Sequence, residues 1–488
     1  MRQLQIVFLL LSITVVNHDA YGNSVILEQK RFEKCYALFV QTPLQDNHPL
    51  WQAIKNEQID GTAACMNLLN KAKLSHTNGQ LLIENDPESI AILKTFSNWH
   101  RGFFEESYEL NPARYDTTPD VIDIYSHAHY YTAALFKEQL EYKSIVTTEN
   151  ALTSTRNSTV ERVYSVVPLA KPNRFHSSGS SSVTAQDYYL KFWQGNLGNP
   201  SYFINSNFEP PLVQTGNITG ISIPESTILS EGYGSYPFNG SGHDINQHFG
   251  GGILGSQSFL LSHIKTRNYL TDGAIKLHRI FGKNVLEHFL CKKAPYLRSI
   301  DVLSDVSVHS SIPFRRGISC MSCHTSQDRV ASMTRNLLRI ASNSMRKATR
   351  NNISFIADTI NQKLPQTDIP MNQANSDFYK TKPDSKLIFR GHNGTKYEYP
   401  ITNLQSLGQA IASTDDFYIC GASKYYQQLT GIKVDLNDSG NINYNPLNDE
   451  ALFYRNKVIA LGLALKESQN AMQIIRQIID SDEFLGVK

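Results

Sequence analysis

The chain of 488 residues has no long apolar run. Its longest, residues 6–16, spans 11 residues, against the ~20 needed to cross a bilayer as a helix. Charge excess is also small. Lys and Arg number 46 and Asp and Glu 44, a net charge of +2. No basic surplus is available to neutralise phosphates, so a nucleic-acid partner is not expected. Internal repeats are missing, which argues against a stacked-repeat architecture. No nucleophile elbow, glycine-rich phosphate loop or paired metal motif occurs, so hydrolytic chemistry has no support. Cysteine is sparse, at six residues, and only one pair of them has CxxC spacing.

The length points to two or three domains. A hydrophobic share of 41% and a charged share of 18% suit a chain that folds around a core, and 24 Tyr with 23 Phe predict heavy aromatic packing. Residues 1–22 read as a secretory signal. Arg2 gives the positive start, residues 6–16 the apolar run, and Ala20-Tyr21-Gly22 a small-x-small cleavage pattern. No cysteine stands at that point, so a lipid anchor is not expected. The expected location is the periplasm or outer surface of a Gram-negative-type bacterium. Export would preserve up to two disulfides among Cys35, Cys65, Cys291 and Cys420. Cys35 with Cys65 is favoured, because both lie on neighbouring helical segments. Three pairings of the four are open, and so are four free thiols.

The fold class is read as mainly α: a multi-domain helical body with a module around Cys320 and Cys323, a long irregular insertion and a short β-hairpin. Residues 23–146 form an N-terminal helical domain. Phe32, Cys35, Leu38 and Phe39 recur at helical spacing, and so do Ala63, Met66, Leu68 and Leu69. Further helices are expected over 87–106 and 119–143. Residues 147–255 are rich in Ser, Gly, Asn, Pro and Tyr and lose helical periodicity. They are read as an insertion over the helical body, with room for short strands. Residues 256–372 are helical again, with helices over 256–264, 271–290 and 327–350. Residues 373–488 open with a hairpin over 386–399, turning at His392-Asn393-Gly394. Helices follow over 403–412, over 415–429 stopping at Gly431, and over 449–482 with a break near Ser468.

One motif carries chemistry. Cys320-Met321-Ser322-Cys323-His324 is a CxxCH. Two thiols three residues apart can add to the two vinyl groups of one haem, and the adjacent imidazole can then take the iron as proximal ligand. The expected cofactor is one covalent haem c, held by Cys320 and Cys323 and ligated by His324. Competing readings are a zinc site, which would need ligands beyond this pair, a thioredoxin-like redox pair, and a structural disulfide. For the distal iron position, Met371 in Ile369-Pro370-Met371 is the candidate, 47 residues beyond His324. A thioether there would raise the potential. His392 is a second candidate, and an open position a third. Met333 and Met345 are closer in sequence, but Met333 is expected to point away. His127 and His129 sit two apart on an expected helix and face different sides. His243 and His248, near Gly250-Gly251-Gly252, could line a pocket.

Several segments resemble, in order, the planctomycete-type cytochrome c-containing proteins, an exported family built largely of domains of unknown function. Residues 143–150 are similar to one of its conserved segments. Gly251-Gly252-Ile253-Leu254 with Phe259-Leu260 is similar to its glycine-rich opening, and residues 273–291 to the helix that follows. After the CxxCH, residues 417–431 and 475–484 are similar to its C-terminal module. The likeness covers most of residues 85–488, and only the CxxCH is sharply specific. After the motif the family carries an Ile-Asp-Pro-Leu-Gly-like run. This chain has Thr325-Ser326-Gln327-Asp328-Arg329-Val330 instead, so no distal ligand carries over. The resemblance implies haem binding and electron transfer, with no defined substrate.

The function expected is single-electron transfer to a redox partner protein. Two alternatives stand beside it. One is a haem enzyme, peroxidase-like, with an open iron site. The other is a binding protein in which the 147–255 insertion holds a partner.

Overall fold

The computed structural model describes residues 25–75, 81–83, 86–104, 126–148, 251–255, 259, 275–310, 313–331, 385–402, 404–440 and 446–486. It also describes the three-residue strands named below. The described chain is mainly helical. Its helices are α1 (25–39), α2 (Pro49–Lys55), α3 (Gly61–Asn70), α4 (Pro87–Gly102), α5 (Ser126–Phe136), α6 (Ser144–Thr147), α7 (Ile275–Leu290) and α8 (Ile318–Ala331). Then come α9 (Leu404–Ser413), α10 (Asp415–Thr430), α11 (Asp449–Ser468), α12 (Ala471–Ile479) and α13 (Asp482–Leu485).

The helix starts follow from local chemistry. Asp60 caps α3 by accepting from Ala63 N, and Asn448 caps α11 by accepting from Ala451 N at 2.8 Å. Asp86 caps α4 with Pro87 in its first turn, where proline's missing N–H costs nothing. α10 stops at Gly431, whose φ of 78° is the left-handed conformation that glycine adopts without strain. The break expected near Ser468 is at Gln469, with φ 54°. Its amide explains the position: Gln469 Oε1 accepts from Lys143 N at 3.0 Å and Nε2 donates to Tyr418 Oη at 3.1 Å. The joint between α11 and α12 is therefore pinned by the start of α6 and by α10.

Strands are short. β1 (Ala151–Thr153) pairs antiparallel with β4 (Gln214–Gly216). β2 (Phe175–Ser177), β3 (Tyr188–Leu190), β5 (Leu338–Ile340) and β6 (Ile353–Phe355) form one sheet in the order β2-β3-β6-β5. β7 (Lys386–Arg390) and β8 (Lys396–Pro400) are the expected hairpin, with Gly394 at φ 79° in its turn. Strands do occur within residues 147–255, and β3 pairs with β6, which follows α8.

The helix expected over 327–350 is not formed as drawn. α8 begins before the CxxCH, contains it, and ends at Ala331, while residues 338–340 are strand. The β5–β6 register sets Leu338 opposite Phe355 and Ile340 opposite Ile353. A pairing partner from elsewhere in the chain, invisible to local charge pattern, overrides the helical tendency.

One buried core runs from Phe32 to Phe484 and draws on both the N-terminal and the C-terminal helices. Phe32, Phe39, Phe96, Phe104, Phe136, Tyr130, Tyr131, Tyr142, Tyr418, Tyr425 and Tyr426 are its largest fully buried side chains, so the aromatic content does become core. A smaller cluster of Leu297, Val302, Met321 and Ile388 lies beneath α8. Two disulfides tie the body: Cys35–Cys65, as favoured from sequence, and Cys291–Cys420, from the end of α7 to the middle of α10. Among the described residues no helix is long and apolar enough to cross a membrane.

Candidate functional site

α8 is a two-faced helix. Met321, Ser322, Thr325, Ser326, Val330 and Ala331 are buried, toward α7 and β7, against which the helix packs. The fit to α7 is close: a Cβ on Gly282 would lie 2.6 Å from Gln327 O. Beside the helix, Tyr296 N and Leu297 N both donate to Ser322 O at 3.2 Å. In its first two turns another stripe holds Cys320, which is exposed, and Cys323 and His324, which are half-buried, and the buried Val330 and Ala331 close that stripe one heptad on from Cys323 and His324. The helical period brings them together. Residues three and four apart share one face, so both thiols and the imidazole start from one side of the helix.

The two thiols are unbonded, whereas all four other cysteines are in disulfides. Burial, and then the nearby Cys320, push the Cys323 thiol above its ordinary range. The His324 ring stacks on Phe314, with centroids 4.2 Å apart and planes at 28°. The Arg279 guanidinium lies over the Phe314 ring at 4.8 Å. Arg279 also grips Asp328 with two hydrogen bonds, Nε to Oδ1 at 2.5 Å and Nη2 to Oδ2 at 3.0 Å. Asp328 Oδ1 stands 3.7 Å from His324 Nδ1. Burial alone would raise the Asp328 carboxyl, but His324 and Arg279 outweigh it and hold it below the usual carboxylate range. His324 Nδ1 is buried and has no hydrogen-bond partner, and the same is true of Thr325 Oγ1 and Ser326 Oγ.

The residues present fit a covalent haem. Cys320 and Cys323 would hold its vinyl carbons and His324 its iron. The stripe that carries them is the open side of α8, and Ile318, in the turn before Cys320, is exposed at 40%. Ile300, Leu303 and Val308 in the segment leading to α8 are exposed as well. The orphaned His324 Nδ1 faces a carboxylate, which is how ligating histidines are commonly held. Among the described residues no group of three His, Cys, Asp or Glu stands ready for a bare metal ion, so the zinc reading finds no ligand set there.

The remaining candidates are scattered. Met371, Met333, Met345, His243 and His248 lie outside the described residues. His127 and His129 are on α5, with side chains outside the described set. His392, at the hairpin turn, is held by Asp416: its backbone N donates to Oδ1 at 2.8 Å, and Nδ1 lies 3.4 Å from Oδ2. Asp416 also binds Lys292 Nζ at 2.6 Å, with both side chains nearly inaccessible. His392 thus belongs to an ion network. Behind the Tyr296–Leu297 segment that network borders a small crevice lined by Lys292, Lys293, Arg298, Arg390, Asn437 and Asp438.

Sequence reasoning missed Arg279, Phe314 and Asp328. Asp328 could have been found, because it sits one helical turn after His324. Arg279 lies 49 residues from its partner, and nothing local marks it. A second unread group, His100 with Thr132 and Tyr425, is buried where α4 meets α5 and α10. His100 Nδ1 lies 2.8 Å from Thr132 Oγ1, and Nε2 lies 3.0 Å from Tyr425 Oη. The chain matches no known protein-family model, no curated protein and no solved structure.

Proposed function

We propose that the chain is an exported electron-transfer protein carrying one covalent c-type haem, anchored by Cys320 and Cys323 with His324 as the proximal ligand. The observation that carries this reading is the outward stripe of α8. Both thiols and the imidazole share it, and the thiols are left unpaired in a chain whose other cysteines are all cross-linked. A haem bound there supplies a one-electron couple at its iron. The protein's own residues do the rest. Cys320 and Cys323 fix the macrocycle against α8, and the stacked Phe314 limits rotation of the His324 ring. The buried half of α8, set against Tyr296 and Leu297, keeps that scaffold rigid.

Met371 is proposed as the distal ligand. It would leave no open site for substrate and favour electron transfer over peroxidase-like chemistry. Export is supported by the N-terminal pattern of residues 1–22 and by two disulfides, which persist in oxidising compartments. Kinship with the planctomycete-type cytochrome c-containing proteins remains part of this proposal, resting on the CxxCH and the order of the surrounding segments.

The test is an absorption spectrum of the chain exported with a haem-maturation system, followed by a pyridine haemochrome assay after acid–acetone extraction. Covalent, low-spin haem that C320A/C323A loses is the expected result. A covalent but high-spin haem would move the assignment to a haem enzyme. A wild-type chain without haem would end the proposal.

A further inference from the structure

His324, Phe314, Arg279 and Asp328 form a closed ring of contacts drawn from three elements: α7, the turn over 313–316, and α8. His324 stacks on Phe314 at 4.2 Å. Phe314 carries the Arg279 guanidinium at 4.8 Å. Arg279 holds both oxygens of Asp328, and Asp328 Oδ1 returns to His324 Nδ1 at 3.7 Å. Nothing in the attachment of a haem requires this. Two thiols and an imidazole suffice, and a backbone carbonyl would serve to orient the ring. A half-buried carboxylate behind a ligating imidazole does something further. It favours the tautomer with the proton on Nδ1, leaves Nε2 for the metal, and makes the ligand more basic. A more basic ligand favours the ferric over the ferrous iron.

Resting on the haem reading above, we infer that Asp328 is the positioning residue for His324. It fixes Nδ1 as the inward nitrogen and lowers the reduction potential of the iron, and Arg279 sets how much of its negative charge the imidazole feels. The single 3.7 Å gap is longer than a hydrogen bond, and Nδ1 has no other partner. Asp328 is therefore the one acceptor poised for it among the described contacts. Arg279 and Asp328 act with opposite sign. Removing the carboxylate leaves the guanidinium uncompensated beside the ligand. Removing the guanidinium frees the full carboxylate charge.

The experiment uses the full chain with its haem. Pyridine haemochrome first establishes covalent attachment, and its absence from the wild type would end the haem reading and this inference together. With haem present, midpoint potentials are compared for the wild type, D328N, D328E, R279Q and R329Q. D328N is expected to raise the potential and R279Q to lower it. Each should change the ratio of oxidised to reduced iron at fixed poise by tenfold or more, ~59 mV for a one-electron couple. D328E should stay near the wild type. R329Q is the control for a diffuse field, because Arg329 is the next residue on α8 but pairs with Asp305 at 3.2 Å. Its shift should be the smaller. Shifts of one sign, no shifts, or an R329Q effect equal to that of R279Q, all with haem retained, would overturn the inference and leave the haem reading standing. Should D328N fail to mature, R279Q keeps the carboxylate and decides alone, an unchanged or raised potential counting against.

Discussion

At the scale of single residues, the largest electrostatic perturbations lie away from Cys320, Cys323 and His324. Lys424 Nζ donates to His288 O at 2.8 Å and sits over Phe103, Phe104 and Tyr131 at 5.1, 5.2 and 5.4 Å. Burial brings its amine down to about 7 from an ordinary 10.5. The unfolded chain keeps that proton up to 10.5 while the folded chain gives it up near 7, so stability rises with pH across that window. Urea midpoints measured from pH 7 to pH 10 should climb in the wild type and flatten in K424M, which keeps the packing and drops the amine. His100 has the same sign at lower pH. Burial first, and then Lys424, lower it to about 3 from 6.5. Between those values only the unfolded state is protonated. Stability should fall as pH drops from 6.5 toward 3, by about 1.4 kcal/mol per pH unit. H100Q, read by the same urea series, should remove that part of the acid slope.

At the scale of elements, helix ends and helix contacts use glycine for different reasons. Gly431 ends α10 in the left-handed region, and a Cβ there would meet nothing. G431A should cost ~1 kcal/mol, from backbone strain alone. Gly462 lies in α11, where a Cβ would come 2.4 Å from Ile419 Cα on α10. G462A must force the most extensively packed helix pair apart, and should cost ~2 kcal/mol or more. Urea unfolding of both variants checks the order, which reverses if α10 and α11 do not pack as described. Much of this level was readable in advance. The hairpin over 386–399, its His392-Asn393-Gly394 turn, the stop at Gly431 and the break near Ser468 all appear within a residue or two. Each rests on neighbours in the chain. The helix expected over 327–350 was misdrawn because β5 answers to β6, more than ten residues away.

At the scale of the whole molecule, the described N-terminal and C-terminal helices close on each other. Arg31 donates to Ile479 O, Lys34 to Phe484 O, and Thr62 Oγ1 to Asp480 Oδ1 at 3.0 Å. The two disulfides span very different lengths of chain, 30 residues for Cys35–Cys65 and 129 for Cys291–Cys420. Loop-closure entropy makes the longer cross-link worth ~5 kcal/mol and the shorter ~3.5 kcal/mol. C291A/C420A should therefore lower the denaturation midpoint more than C35A/C65A, measured without reductant. A larger loss from the shorter bridge would mean that the folded state, and not the unfolded chain, carries the effect.

The amino-acid sequence by itself determined the helical class, the hairpin, the helix stops, the aromatic core and the CxxCH spacing of Cys320, Cys323 and His324. These follow from period, turn chemistry and spacing, which act over a few residues. Only the tertiary structure decided which cysteines pair, Cys35 with Cys65 and Cys291 with Cys420, and that α8 starts before the motif, carries Cys320, Cys323 and His324 on one side and ends at Ala331. It also decided that Arg279, Phe314 and Asp328 meet behind His324. Those outcomes depend on partners brought together across tens or hundreds of residues. A chain records such meetings only in how it folds, because no local preference distinguishes the arginine that finds a carboxylate from the one that faces water.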